Sequence, residues 1–448
     1  MKRDPNVVNS AVSLVTLGCP KNLVDSEVML GRLRQAGYAL QPDPSGAETV
    51  VINTCGFIDG AKRESVAAIL DAVERKRRGE VGRVVVSGCL SQRYAAELAR
   101  EIPEVDVWLG IDGGAAIVAA TRGELAGLQV GPPTFLYDHT TPRVRSTPPH
   151  YAYLKIGEGC DHRCSFCIIP KLRGRQRSRP IASILSEAGA LARDGVRELI
   201  LVAQDSTLYG SDQGLHDGLA QLLERLAAAE RAPEWVRVMY TYPTSITPRF
   251  LSALARGGRL LPYVDLPLQH CDRDILRSMK RGGHPEAYLR LIERIRCAVP
   301  GVAIRTQFIV GYPTESEQRF RSLLEFAGAA RFDNLGVFCY SHEDGTAAGR
   351  LRDRISAAEK RRRRGELLAL QQRVALERHR ALVGEKLRVL IDGAHPETEH
   401  LLAARLASQA PEIDGRVIIN DGVGAAGEFA TVEIQAAHPY DLVGRIVA

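Results

Sequence analysis

CDHRCSFC, residues 160–167, places three thiols in eight residues and runs directly into the basic stretch IIPKLRGRQRSR, 168–179. Structural zinc takes four tetrahedral ligands, usually with paired C-x2-C spacing. Here His162 offers a fourth ligand but is squeezed between two of the cysteines. An iron–sulfur cubane is held by cysteine thiolates, and three of them leave one iron open to a substrate or cofactor. Both readings place a metal at the end of the apolar run YAYLKI, 151–156.

That run is the first of a series. RELILVA (197–203), WVRVMYTY (235–242), YVDLPL (263–268), VAIRTQFIV (302–310) and NLGVFCY (334–340) follow, separated by amphipathic stretches such as SILSEAGALARDG and PEAYLRLIERIRCAV. Six strand–helix repeats predict a partial or open parallel barrel, whose active site is built from the loops after the strands. Those loops are the polar ones: GEGC, QDS, PTS, QHC, GYPTE and SHEDG. Pro142, Pro148 and Pro149 mark a linker ahead of this region.

Upstream, VSLVTLGC (12–19), TVVINTC (49–55) and VVVSGC (84–89) are β-branched runs, each ending in a cysteine, with helical patterns between them. They predict an open parallel α/β sheet. Strand carboxyl ends form the ligand crevice of such sheets, so Cys19, Cys55 and Cys89 are expected to meet there despite their separation in sequence. The bland alternative is three buried structural thiols. Cys271, Cys297 and Cys339 stand in no ligand spacing and are expected to be packing thiols.

Downstream, AAEKRRRRGELLALQQRVALERHRALVG (357–384) predicts a charged helix packing one face through Leu367, Leu368, Leu370, Val374 and Leu376. Its RRRR run reads as a solvated face, with RNA contact as the alternative. Five short strands follow, KLRVLI, HLLAARLA, GRVIIN, EFATVEIQAA and DLVGRIV, and predict a small antiparallel β-barrel of the oligonucleotide-binding kind. From 384 to 448 this segment holds ten Asp and Glu against five Lys and Arg. Such a surface repels phosphate and attracts a basic protein, and Glu412, Asp414 and Asp421 are expected in or beside its turns.

The 448 residues exceed what one core organises, and 45% hydrophobic with 25% charged residues is a globular composition. A net charge of +6 permits a ribosomal or nucleic-acid encounter without arguing strongly for one. MKRDPNVVNS lacks a secretory core, and no apolar run is long enough to span a bilayer. A cytoplasmic location with no membrane partner is therefore expected, where nine cysteines serve metals or catalysis more than disulfides.

The C-x3-C-x2-C spacing after the first barrel strand resembles that of radical S-adenosylmethionine enzymes. With the upstream cysteine trio and the terminal barrel, the chain is similar over its whole length to the methylthiotransferases of that superfamily. The resemblance implies an N-terminal α/β domain (10–140), a radical S-adenosylmethionine barrel (146–378) and a TRAM β-barrel (380–448). It implies one 4Fe-4S cluster on Cys19, Cys55 and Cys89, carrying sulfide or methylsulfide. A second, on Cys160, Cys164 and Cys167, would bind S-adenosylmethionine through its open iron, so that all six cysteines act catalytically through their clusters. VAQDSTLYG (202–210) and FIVGYPTESE (308–317) are similar to cofactor-binding segments, which makes Gln204, Asp205 and Gly311 candidates for the S-adenosylmethionine pocket.

LGCPKNLVDSE around Cys19 and LPLQH (266–270) resemble the ribosomal-protein branch, the RimO family, which modifies the β-carbon of an aspartate in uS12, alone or in the small ribosomal subunit. The alternative substrate is a tRNA adenosine. External sulfur and electron donors are implied in either case. His270 is a candidate for the substrate pocket, with ordinary hydrogen-bonded structure as its alternative. A different class, a non-catalytic metal-stabilised RNA- or ribosome-binding protein, leaves the six strand-end cysteines unexplained.

Overall fold

The computed structural model describes residues 10–447. Two compact units make up the chain, one of Met1–Ser146, Gly157–His162 and Cys167–Ile184, the other of Thr147–Ile156, Arg163–Phe166 and Leu185–Ala448.

The first unit is a six-stranded sheet of β1 (Ala11–Thr16), β2 (Ala39–Gln41), β3 (Thr49–Thr54), β4 (Arg83–Gly88), β5 (Val107–Leu109) and β6 (Gly127–Gln129), in the order 2-1-3-4-5-6. Every pairing is parallel. Alternate side chains serve opposite faces. Val50, Ile52, Val84, Val86 and Trp108 pack with Ile69 and Val73 of helix α2 (Asp59–Arg77). Val12, Val51, Val85 and Val107 pack with Met29 and Leu33, from the helix that follows β1, and with Ile117. Strands buried on both faces read as continuous apolar runs, which is why β1, β3 and β4 were legible. The strand order reverses between β1 and β3, so a ligand crevice is expected beyond their carboxyl ends.

In the second unit, β7 (Tyr151–Lys155), β10 (Glu198–Val202) and β11 (Trp235–Val238) form one parallel sheet, and β12 (Tyr263–Asp265), β13 (Ala303–Val310) and β14 (Asn334–Cys339) another. The short strands β8 (Gly157–Glu158) and β9 (Arg177–Ser178) belong to the first unit. The six expected barrel strands thus all form, as two sheets of three adjoining at the Val236–Leu260 bridge.

The terminal segment closes into a five-stranded barrel of β15 (Lys386–His395), β16 (Thr398–Leu406), β17 (Val417–Asp421), β18 (Phe429–Ala437) and β19 (Leu442–Val447). One pair, β17 with β19, is parallel, and the other four are antiparallel. Buried ion pairs fasten it to the amino-terminal ends of the sheet strands. Glu198 binds Arg237 at 2.7 Å and also Arg405, Arg405 binds Asp392 at 2.8 Å, and Asp392 meets His150 Nε2 at 2.8 Å. Arg237 donates to the carbonyls of Ala407 and Gln409.

Two surface expectations are corrected here. Asp414 is not a docking acid: its carboxylate is buried, accepts from Tyr263 Oη at 2.7 Å and lies 3.4 Å from Arg305. Glu412 is exposed in a turn, as expected, and also accepts from Tyr151 Oη at 2.9 Å. Asp421 remains exposed. The RRRR run, in the helix Ala357–Arg380, is not simply solvated either. Arg363 is buried on Glu315 at 2.7 Å, and Arg362 spans Glu317, Glu359 and Glu366. Of the expected apolar face, Leu367 and Val374 are buried, and Leu368, Leu370 and Leu376 are half-buried.

Candidate active site

The first cysteine trio lies at the carboxyl edge of the six-stranded sheet. Cys19 caps helix α1 (Pro20–Gln35), whose Pro20 pre-sets the first helical φ, and Cys89 opens helix α3 (Cys89–Glu101). Cys55 follows β3, with its N–H and carbonyl both clamped by Ser65 Oγ, at 3.0 and 2.9 Å.

Glycine beside cysteine lets the three loops approach. A Cβ on Gly18, at φ +95°, would lie 2.8 Å from Cys55 Cβ, and one on Gly56 would lie 2.8 Å from the Leu90 backbone, next to Cys89. Asn22 reinforces the convergence: its Nδ2 donates to the carbonyls of Leu17, Asn53 and Thr54, at 2.7, 3.3 and 3.3 Å. One side chain therefore ties the loops leading into Cys19 and Cys55.

Burial opposes ionisation of all three thiols, and the outcome differs with their neighbours. Cys19 still falls below the ordinary thiol range, because Lys21 and Arg173 are close and the N–H groups of Asn22 and Lys21 face its sulfur. Burial pushes Cys55 up to about 11, with Cys89 and Cys19 adding to the rise. Cys89 is raised by burial against the pull of Arg173.

Arg173 comes from the basic stretch behind Cys167, in the short helix Ile169–Arg173. Its buried guanidinium donates from Nη1 to Glu158 at 2.9 Å and Asp25 at 3.0 Å, and from Nη2 to Asn22 Oδ1 and Cys89 Sγ, both at 3.4 Å. The rest of the stretch is also engaged structurally. Arg179 stacks over Tyr137 with 4.2 Å to the ring centroid, Arg175 pairs with Asp161, and Arg177 donates to the carbonyls of Arg173 and Arg175.

The second trio divides between the units. Cys160 and Cys167 belong to the first, where Cys160 N–H donates to the Gly174 carbonyl at 3.1 Å. Cys164 belongs to the second, where Arg281 donates to its Sγ at 3.5 Å and to the Pro267 carbonyl at 2.7 Å while covering the Tyr242 ring. Ser165 and Phe166 pin this segment, through Ser165 N–H to the Met279 carbonyl at 2.9 Å and Phe166 packing on Tyr312 and Met279.

None of the nine cysteines is joined in a disulfide, and among the described residues no three His, Cys, Asp or Glu side chains converge on one metal ion. A cubane distributes its ligands over separate irons. The first trio suits such a cluster: thiols alone, half-buried or buried, with a guanidinium aimed at one sulfur; Cys160, Cys164 and Cys167 are likewise half-buried thiols.

Gln204 and Asp205 lie just past β10, and Gly311 just past β13. The Asp205 carboxylate caps a turn by accepting from Thr207 N–H at 2.8 Å, and Gly311 N–H donates to Glu315. His270 is fully buried. Its Nδ1 accepts from Asp272 N–H at 3.0 Å, which leaves Nε2–H to donate to Glu315 at 3.1 Å. Both ring nitrogens are occupied, so His270 holds the Gly311–Glu315 turn, in the hydrogen-bonded role expected as its alternative. Cys271 is a packing thiol, but Cys297 is exposed, because the buried stripe of its helix runs through Tyr288, Leu291, Ile292 and Ile295 and leaves position 297 outside. A cavity of about 300 Å³ opens beside Thr207, Tyr209, His216 and Thr247, and none of the nine cysteines lines it.

Sequence reasoning missed Asn22, Ser65, Glu158, Arg173 and Arg281. Only Arg173 had a signal, the run of charge behind Cys167, and its target was invisible because the residues it binds are distant in sequence.

Family models match three segments: the Radical SAM superfamily over 154–327, Uncharacterized protein family UPF0004 over 11–110, and a TRAM domain over 383–447. A ribosomal protein uS12 methylthiotransferase RimO of Anaeromyxobacter sp. (strain K) is 51% identical over 98% of this chain and 93% of its own length. The chain belongs to the RimO family. Other RimO proteins, of Myxococcus xanthus and Solibacter usitatus, are 48% and 47% identical over 97% and 98% of the chain, and 91% and 95% of their own. The fold is also that of the radical S-adenosylmethionine methyltransferase TsrM from Kitasatospora setae, solved with cobalamin and a [4Fe-4S] cluster. That likeness has a TM-score of 0.56 at 17% identity, over 76% of this chain and 77% of the other. Membership of the RimO family makes the chain a radical S-adenosylmethionine methylthiotransferase. The full-length match also removes the non-catalytic alternative.

Proposed function

We propose that the chain methylthiolates the β-carbon of an aspartate in ribosomal protein uS12, using two 4Fe-4S clusters and S-adenosylmethionine. The observation that carries this reading is the meeting of Cys19, Cys55 and Cys89 at the switch point of a sheet whose chain is RimO-like from end to end. When bound, the clusters and S-adenosylmethionine supply the one-electron chemistry and the sulfur that an unactivated carbon–hydrogen bond requires.

The chain's own residues do the holding. Cys19, Cys55 and Cys89 are the ligands for the sulfur-carrying cluster, with Gly18, Gly56, Asn22 and Ser65 fixing their loops. Cys160, Cys164 and Cys167 are the ligands for the cluster that takes S-adenosylmethionine, with Gln204, Asp205 and the Gly311 turn around the cofactor. In this division of labour residues 10–140 handle sulfur, 146–378 generate the radical, and 380–448 dock the substrate. The acidic balance of the last segment favours a basic protein over tRNA. External donors of electrons and sulfur complete the cycle.

Two triple variants test the assignment. Cys19, Cys55 and Cys89 changed together to Ala should leave reductive cleavage of S-adenosylmethionine intact and abolish methylthio transfer. The same change at Cys160, Cys164 and Cys167 should abolish both. Cleavage lost in a folded, iron-loaded variant of the first kind would contradict two separable sites.

A further inference from the structure

The side chain of Arg173 bonds one cysteine of the first trio directly and the approaches to the other two through Asn22, while belonging to the short helix behind the second trio. Its Nη2 bonds Cys89 Sγ and Asn22 Oδ1, and Asn22 in turn ties the approaches to Cys19 and Cys55. Its Nη1 is held by Glu158, two residues before Cys160, and by Asp25 of α1. Only 2% of the residue is exposed. A guanidinium has a rigid five-donor fork, and here one such fork serves four partners at once. Ile168 and Leu172 pack with Cys89 and Phe57 in one apolar cluster, so the helix that carries Arg173 is seated beside the trio by burial as well.

We propose that Arg173 is a positioning residue of the sulfur-handling site, which raises the reduction potential of the first cluster through its bond to Cys89 and locks the loop bearing Cys160 and Cys167 onto that site. The proposal rests on the assignment of a cluster to Cys19, Cys55 and Cys89. Hydrogen bonds to ligand sulfurs are among the determinants of cluster potential, because they stabilise the more electron-rich reduced form. Arg281 stands to Cys164 as Arg173 stands to Cys89, so it supplies an internal comparison. It has no carboxylate partner within ion-pair distance among the described residues, whereas Arg173 has two.

The test uses the full chain, anaerobically reconstituted, with the second trio changed to Ala so that one cluster remains. Arg173→Lys keeps the charge and loses the fork. Arg173→Gln combined with Glu158→Gln removes the fork together with its buried partner, so the net charge beside the trio is unchanged. Redox titration followed by electron paramagnetic resonance should find the first cluster at least tenfold harder to reduce in both, a shift of about 59 mV for one electron. In the converse background, with the first trio changed to Ala, the same Arg173 variants should leave the remaining potential unmoved, whereas Arg281→Gln should lower it. An unchanged first-cluster potential in an iron-loaded Arg173 variant, or an equal shift of both clusters, would overturn the role of Arg173. Failure of the background protein with intact Arg173 to bind iron would overturn the cluster assignment and the proposal with it.

Discussion

At the scale of single residues, the first trio depends on what is absent from its neighbours as much as on sulfur. Gly18 and Gly56 leave room that a methyl group would fill at 2.8 Å from the adjoining loop. Gly56→Ala, which displaces backbone at Leu90 and adds no charge, should therefore lose the first cluster and keep the second. Iron analysis after reconstitution should fall from about eight to about four atoms per chain, four for each cubane. A full complement in the variant would mean that the loops tolerate a wider approach. The cysteines themselves were legible because each closes a β-branched run, and strand-end placement has a functional meaning in parallel sheets. Asn22, Ser65 and Arg173 were not, because a side chain that bonds carbonyls or a sulfur from another loop leaves no periodic trace. His270 was legible as a residue with two roles left open, since only the structure shows both its nitrogens engaged.

At the scale of elements, the terminal barrel is fastened by charge buried in its contact with the sheet strands. Glu198 is buried and Asp392 half-buried, which alone would raise them, yet the guanidinium groups of Arg237 and Arg405 hold Glu198 below its ordinary range, and His150 and Arg405 do so for Asp392. Carboxylates lowered in this way contribute stability that is fully present above their unfolded values of about 4 and is lost as pH falls through the lower folded values. The denaturation midpoint should therefore drop below about pH 4, and Glu198→Gln should flatten that drop. Arg405→Ala takes one partner from each carboxylate, leaving Glu198 to Arg237 and Asp392 to His150, and should cost about 1.5–3 kcal/mol at neutral pH, read by denaturant titration. A loss below 1 kcal/mol would show that water reaches the network. The five barrel strands were legible from their turns, and the six strands of the central segment from their apolar runs. Their amino-terminal contact was not, because Arg237, Arg305 and Arg405 look in sequence like ordinary surface charges.

At the scale of the whole molecule, substrate choice is a matter of the charge left exposed. With Glu412 and Asp414 committed to Tyr151 and Tyr263, the acidic residues able to steer a basic protein include Glu397, Glu399 and Asp421, all exposed on the terminal barrel. Reversing these three to Lys should slow association with uS12, and raising the salt should shrink the difference, since exposed charges are screened over about 8–10 Å at moderate ionic strength. Cleavage of S-adenosylmethionine without substrate should be unchanged. Mass spectrometry of uS12 and of tRNA, each incubated with the reconstituted protein, S-adenosylmethionine, a reductant and sulfide, decides the substrate. One methylthio group should appear on an aspartate β-carbon of uS12, lost with Cys19→Ala, and tRNA should stay unmodified. Unmodified uS12 beside methylthiolated tRNA adenosine would contradict the choice of uS12.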